Sequence, residues 1–426
     1  MVQIHRDETV LDSDAVDFES SRLQPVIVFR VHEIALKGLN RRWFTQILRE
    51  NIAHALRGLN VDNFRSRSSR TFVDLHDLDQ WPEARERLKH VFGVANFSLA
   101  LQCRVRMKSI RSALHTLFKV EGEPEGSFCV RSRRANKNFP KRSPEIERDI
   151  GAWIQRKTDA PVDLSNPDRT YRIEILHDAI YVSSDAIQGP GGLPVGVSGR
   201  VVVLMSGGFD SPIAAYRMLK RGCTVTMVHC HAHPFVRSTS IEKVTELARK
   251  ICEHQPDCRL VTVPIGEAQQ QIAIASEPTL RVVLYRRHMV RIAAALAESE
   301  GAGALVTGES VGQVSSQTLE NIQAIGSATH LPILRPLIGF DKNEIVDHAR
   351  ELGTEEISSV PDDDCCTVFV PAHPTTHATV AEAEQAEEQM DVAALVEQSM
   401  ARQTIFAGDP ANWDVNLALN PELASV

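Results

Sequence analysis

Ser206-Gly207-Gly208-Phe209-Asp210-Ser211 follows directly on an apolar run, Val201-Val202-Val203-Leu204-Met205, and leads into a helical stretch that Pro212 opens. Two adjacent glycines at a strand-to-helix turn leave backbone N–H groups bare, and the head of the helix faces the same way, so the turn suits a phosphate. Further apolar runs follow at Thr224-Val225-Thr226-Met227-Val228, Leu260-Val261-Thr262-Val263 and Ala304-Leu305-Val306-Thr307, separated by helical stretches from Thr239 and from Leu280 to Glu300. Continuous apolar strands alternating with helices form a parallel sheet covered on both faces, so this part of the chain reads as a doubly wound, Rossmann-like α/β domain. The loop lacks the lysine and spacing of G-x-x-x-x-G-K-[ST] and also the pattern G-x-G-x-x-G. Read blandly, it is a tight turn with glycines for sterics and a serine or aspartate as helix cap.

Upstream, the breakers Gly189-Pro190-Gly191-Gly192-Leu193-Pro194 mark a domain boundary. Before it lie two smaller α+β segments. Residues 25–80 open with a strand at Val26–Val31, followed by an amphipathic helix from Arg41 to Leu59 with Asn40 as its N-cap. Residues 81–187 alternate helices and strands around a basic loop, Arg133-Arg134-Ala135-Asn136-Lys137-Asn138-Phe139-Pro140-Lys141-Arg142. Residues 1–24 read as a loosely held arm, 188–375 as the sheet domain, and 376–426 as an acidic tail with one short helical pattern and no strand signal.

The 426 residues, 43% hydrophobic, are enough for two or three cores. No apolar run approaches a membrane span, and the N-terminus lacks signal-peptide character, so a cytoplasmic protein without a membrane partner is expected. The net charge of −8 is uneven: residues 351–426 hold 1 basic and 15 acidic side chains, whereas residues 101–150 hold 12 basic and 6 acidic. A phosphate-binding surface is therefore compatible with an acidic chain. Eight scattered cysteines are too sparse for a disulfide framework and point to chemistry instead.

S-G-G-x-D-S resembles the pyrophosphate loop of enzymes that cut ATP between its α and β phosphates. With it stand His32-Glu33-Ile34-Ala35-Leu36-Lys37-Gly38-Leu39-Asn40-Arg41-Arg42, Val91-Phe92-Gly93-Val94, Asn138-Phe139-Pro140, Gly189–Leu193, Thr307-Gly308-Glu309-Ser310, Gly312-Gln313-Val314-Ser315-Ser316-Gln317-Thr318 and Asp364-Cys365-Cys366-Thr367-Val368-Phe369. In this order they are similar to the tRNA 4-thiouridine synthetase family over roughly residues 25 to 375.

The resemblance implies a ferredoxin-like domain, a THUMP domain and a pyrophosphate-loop domain. The first two would bind tRNA, giving a role to Lys37, Arg41, Arg42, Arg131, Arg133, Arg134, Lys137, Lys141 and Arg142; taken alone, a charge run is more often solvated surface. It places ATP against Leu204, Met205, Ser206, Gly207, Gly208, Asp210, Ser211, His229, Cys230, Arg286, Gly308 and Gln317. Arg286 and Arg287 would suit the polyphosphate, since a guanidinium holds two phosphate oxygens at once. Asp210 is assigned to magnesium or to loop ordering, and Cys230 to packing.

Cys365 occupies the position of the family's catalytic cysteine. Its loop carries Asp362-Asp363-Asp364, which should raise the thiol pKa, and no compensating cation is evident in the sequence. Many relatives append a rhodanese-like domain that carries the sulfur; here 57 residues follow Phe369 with no cysteine beyond Cys366. Sulfur is thus expected from a separate donor, sulfide or a desulfurase, with Cys366 resolving the product. The segment before Arg286 lacks a C-x-x-C pair, which disfavours an iron–sulfur cluster although Cys252 and Cys258 remain. The implied reaction adenylates uridine O4 in tRNA, at position eight in the family, and replaces that oxygen by sulfur, yielding 4-thiouridine, AMP and pyrophosphate. Dimers are common in the family, which is also linked to sulfur supply for thiamine thiazole. Two other readings are a ligase or amidotransferase acting on a small molecule, and an RNA-binding module with a decayed nucleotide site.

Overall fold

The computed structural model describes residues 23–36, 38–67, 70–233, 235, 239–361, 368–369 and 373–415. Lys37, Cys365 and Cys366 lie outside these residues. The chain forms two units, one built from its first strand with residues 58–85 and 96–188, the other from residues 31–57, 86–95 and 189 onward.

The first unit centres on an eight-stranded sheet: β1 (Gln24–Arg30), β2 (Val61–Arg67), β3 (Arg70–Leu75), β4 (Asn96–Cys103), β5 (Phe128–Arg134), β6 (Arg169–Ile175), β7 (Ile180–Ser183) and β8 (Ile187–Gln188). The order is β2-β3-β1-β4-β7-β6-β5, with β8 beside β4. Both small α+β segments thus share one sheet, joined where β1 pairs with β4. The helices Met107–Glu121 and Ser143–Thr158 bury Ile110, Ala113, Leu114, Leu117 and Phe118, and Ile146, Ile150 and Ile154, respectively. These three- and four-residue spacings put each apolar set on one helical face, which the sheet then covers.

The second unit is a six-stranded sheet of β9 (Arg200–Leu204), β10 (Thr224–His231), β11 (Arg259–Pro264), β12 (Ala304–Val306), β13 (Ile333–Leu334) and β14 (Thr404–Ala407). Its order is β13-β12-β9-β10-β11-β14, parallel throughout except for β14. Val201 and Val203 face a core shared with the helices Asp210–Lys220, Thr239–Cys252 and Lys342–Leu352. Val202 faces the opposite core, shared with Gly266–Ala275, Arg281–Glu300 and Leu319–Gly326. This is the doubly wound arrangement expected. The chain leaves β9 toward β10 on one side and later returns to β12 on the other, so strand order reverses at β9 and a crevice opens at its carboxyl end.

The acidic C-terminal segment differs from the expected tail. Helices Val380–Glu387 and Val392–Met400 pack on the second core through Ala383 and Leu395, and β14 pairs antiparallel with β11. Trp413 lies over Phe406, ring centroids 5.7 Å apart. The apolar anchors are spread thinly among carboxylates, and their partners lie on elements far upstream, from β11 to the Leu319–Gly326 helix, so no local periodicity reveals them.

Arg287 is also corrected. It is fully buried and points away from the glycine loop: its Nε and Nη2 each donate to the Glu387 carboxylate at 2.8 Å, and its Nη1 to the Ala324 carbonyl. Arg291 grips the same carboxylate at 2.6 and 2.7 Å. Arg287→Ala leaves Glu387 with one cation in place of two, and should cost about 3 kcal/mol. A denaturant melt of the variant checks this.

Cys252 and Cys258 are joined as a disulfide across a Cα–Cα separation of 5.4 Å, a local closure between a helix end and β11 that the scatter of cysteines did not suggest.

Candidate nucleotide-binding site

The glycine loop follows β9, and the helix after it begins at Asp210, two residues earlier than Pro212. The loop is tied to itself: the Ser206 N–H donates to Ser211 Oγ at 2.9 Å, and the Gly208 N–H to Ser206 Oγ at 3.3 Å. Ser358 braces it from outside by donating to the Gly208 carbonyl at 3.3 Å. Gly308, just after β12, passes so close that an added Cβ would lie 2.8 Å from both Asp210 C and Ser211 N. Only glycine lets the two strand ends meet there.

A cavity of about 720 Å³ opens at this crevice. Leu204, Met205, Ser206, Gly207, Gly208, Asp210, Ser211, His229, Cys230, Arg286, Gly308 and Gln317, separated by more than a hundred residues in sequence, all line it. Val228, Met289, Val290, Ile325 and Ile333 add an apolar stretch of wall suited to a flat base. His229 is buried with Nδ1 3.0 Å from the Met205 carbonyl; a carbonyl only accepts, so Nδ1 carries a proton there.

Four polar residues that sequence reading gave no role complete the lining or its edge. Glu309, buried, accepts from Arg286 Nη1 at 3.0 Å, Arg335 Nε at 2.7 Å and Thr307 Oγ1 at 2.9 Å. The trio of two arginines and one carboxylate brings a single net positive charge to the cavity. Lys342 Nζ lies 3.5 Å from Asp210 Oδ1 and 4.7 Å from the Phe209 ring centroid, and Gln313 donates to Asp210 Oδ2 at 3.4 Å. Glu309 and Gln313 stand inside quoted motifs, whereas nothing local marks Arg335 or Lys342.

The basic candidates fall on both units. In the first, Arg131, Arg133, Lys137 and Arg142 are exposed, Arg134 donates to the Phe139 carbonyl at 3.1 Å, and Lys141 pairs with Asp149. In the second, Arg41 and Arg42 are exposed at the start of the Arg41–Ala55 helix.

Cys103, Cys129, Cys223 and Cys230 are buried thiols. Burial pushes the Cys103 pKa up to about 12 and raises that of Cys223.

Three histidines of this unit are held neutral by burial: His231 and His254 are pushed down to about 3, and His288 to about 4, with neighbouring positive groups adding to the effect. Each would titrate near 6.5 once unfolded. Protons therefore favour the unfolded chain below pH 6.5, and stability is lost as pH falls toward the folded values. The loss should reach roughly 2 kcal/mol per histidine by pH 5. A melting temperature that did not fall between pH 7 and pH 5 would contradict this.

A glycine loop and a helix head at the switch point of a parallel sheet define the class of α/β proteins that hold nucleotides at strand carboxyl ends. Comparison with known proteins narrows that class. Residues 196–392 match the family described as thiamine biosynthesis protein (ThiI), residues 26–98 the ThiI ferredoxin-like domain, and residues 105–185 the THUMP domain. A probable tRNA sulfurtransferase of Thermus thermophilus is 44% identical over 353 residues, covering 83% of this chain and 86% of the relative. One from Moorella thermoacetica is 41% identical over 385 residues, covering 90% and 98%. A crystal structure of a 4-thiouridine synthetase–RNA complex with bound ATP superposes with a TM-score of 0.81 at 34% identity, covering 91% of this chain and all of the other. The chain belongs to the ThiI family of tRNA sulfurtransferases.

Proposed function

We propose that this protein is an ATP-dependent tRNA uracil 4-sulfurtransferase of the cytoplasm. The observation that carries the reading is the convergence of twelve residues from five separate places in the chain on one cavity at the β9 switch point, in a chain 34% identical to a synthetase solved with RNA and ATP. In this reading the apolar wall takes the adenine, and the glycine loop with its helix head takes the phosphates. Uridine O4 attacks the α phosphorus, pyrophosphate leaves with the electron pair of the broken P–O bond, and the base is left adenylated. Sulfur then attacks C4 and AMP departs. Adenylation replaces a poor leaving group with a good one.

Magnesium fits the residues at the loop. Among the described residues Asp210 Oδ1 accepts no hydrogen bond, and Asp210 lines the cavity; magnesium ordinarily takes one or two carboxylates together with phosphate oxygens. When bound it would neutralise charge on the leaving pyrophosphate. Lys342 keeps the Asp210 carboxylate oriented.

Cys365 is the proposed acceptor of sulfane sulfur from a separate desulfurase, held as a persulfide whose outer sulfur attacks C4 as AMP leaves; the Cys366 thiolate then attacks Cys365 Sγ, forming a disulfide and leaving the sulfur on the base, whereas free sulfide would attack C4 directly. The THUMP and ferredoxin-like segments are proposed to grip tRNA by phosphate contacts at their exposed arginines and lysines, so binding should weaken steeply with salt. Mass spectrometry of nucleosides from tRNA incubated with the protein, ATP, magnesium and sulfide tests the reading. 4-Thiouridine is expected; 2-thiouridine would redirect the substrate assignment, and unmodified tRNA would overturn it.

A further inference from the structure

Ser240 and Lys243 lie one turn apart at the start of the Thr239–Cys252 helix, and both line the cavity of the glycine loop. Both are buried, Ser240 to 4% and Lys243 to 8% of full exposure. Among the described residues the Ser240 hydroxyl has no hydrogen-bond partner. A hydroxyl buried in that state carries a free-energy cost that a ligand in the cavity would remove. The first-turn N–H groups of this 14-residue helix have no acceptor within the helix, and its positive end faces the same wall.

Lys243 Nζ donates to the Val360 carbonyl at 2.6 Å. Val360 is two residues beyond Ser358, whose hydroxyl braces the glycine loop at the Gly208 carbonyl. A lysine, a buried hydroxyl and a helix head therefore stand on the wall that touches the phosphate loop. The lysine adds a cation to those already at the cavity. Arg286 and Arg335 share Glu309, so that trio brings one positive charge against the several negative charges of a triphosphate.

We propose that Ser240, Lys243 and the head of their helix form a second anion subsite, which holds the β and γ phosphates of ATP and keeps them as pyrophosphate when the bond to the α phosphorus breaks. The proposal rests on the ATP-cleaving reading of this cavity. Lys243 Nζ donates to oxygens whose charge grows as the leaving group takes the electron pair. Lys243 is a binding residue for the leaving group, and its bond to Val360 fixes where its ammonium stands.

The test is calorimetric titration of the full chain, in magnesium buffer, with inorganic pyrophosphate and separately with AMP. Lys243→Met should weaken pyrophosphate binding by about tenfold or more, and Ser240→Ala by roughly threefold, since a hydrogen bond to a charged group is worth more than a neutral one. AMP binding should stay within about twofold of wild type, because the subsite touches only the phosphates that leave. Lys243→Arg should keep most of the pyrophosphate affinity. Unchanged pyrophosphate binding in both Ser240→Ala and Lys243→Met, or an equal loss of AMP binding, would overturn the proposal. If Lys243→Met lacks a cooperative melt, the contrast between Ser240→Ala and Lys243→Arg decides alone. Failure of the underlying reading appears elsewhere, as a wild-type protein that produces no AMP from ATP when given tRNA.

Discussion

Asp210→Asn is expected to lower tRNA-dependent formation of AMP from ATP by at least about a hundredfold while leaving the melting temperature nearly unchanged. Asparagine keeps the size of the side chain and can still accept from Gln313, which meets Oδ2 at 3.4 Å. What it loses is the negative charge that stands 3.5 Å from Lys342 and that would meet magnesium at the phosphates. The side chain is only 22% exposed yet sits in the cavity wall rather than the core. A loss of catalysis with the fold intact is therefore the signature of the charge. Quantifying AMP after incubation with ATP and tRNA checks it, and near-normal turnover would remove Asp210 from the proposed site.

Cys365→Ser should separate the two halves of the reaction. Pyrophosphate release should persist, because the serine leaves the glycine loop and the arginines as they are, while 4-thiouridine made with a desulfurase and cysteine as the sulfur source falls to background. A hydroxyl is a far weaker nucleophile than a thiolate and cannot carry transferable sulfur. The two readouts must diverge in one sample: pyrophosphate by coupled assay, nucleosides by mass spectrometry. If the serine variant thiolates tRNA at the normal rate, another group delivers the sulfur. The buried thiols offer poor substitutes, since burial holds Cys103 and Cys223 in their protonated forms.

The parallel sheet was legible because each central strand is a continuous apolar run followed by a helix, and the glycine loop sits at the end of one of those runs. The cavity residues were reached through the family resemblance, and their gathering at one crevice follows from strand order, which sequence periodicity does not encode. Arg286 and Arg287 mark the limit. Successive helical residues point about 100° apart, so one faces the cavity and the other the core, and the sequence does not say which. Glu387, which decides it, lies a hundred residues downstream in the segment taken for a tail. Lys342 and Arg335 escaped for a similar reason: each is an ordinary charged residue until the fold sets it beside Asp210 or Glu309.

The central claim is that residues 206–211 hold ATP so that AMP is transferred to an RNA base. Its most direct test is the identity of the nucleotide formed when the purified protein, magnesium and α-labelled ATP are mixed with intact tRNA and sulfide. Label appearing as AMP, only when tRNA is present and in step with 4-thiouridine, is the predicted result. Label appearing as ADP, or remaining in ATP, would contradict it.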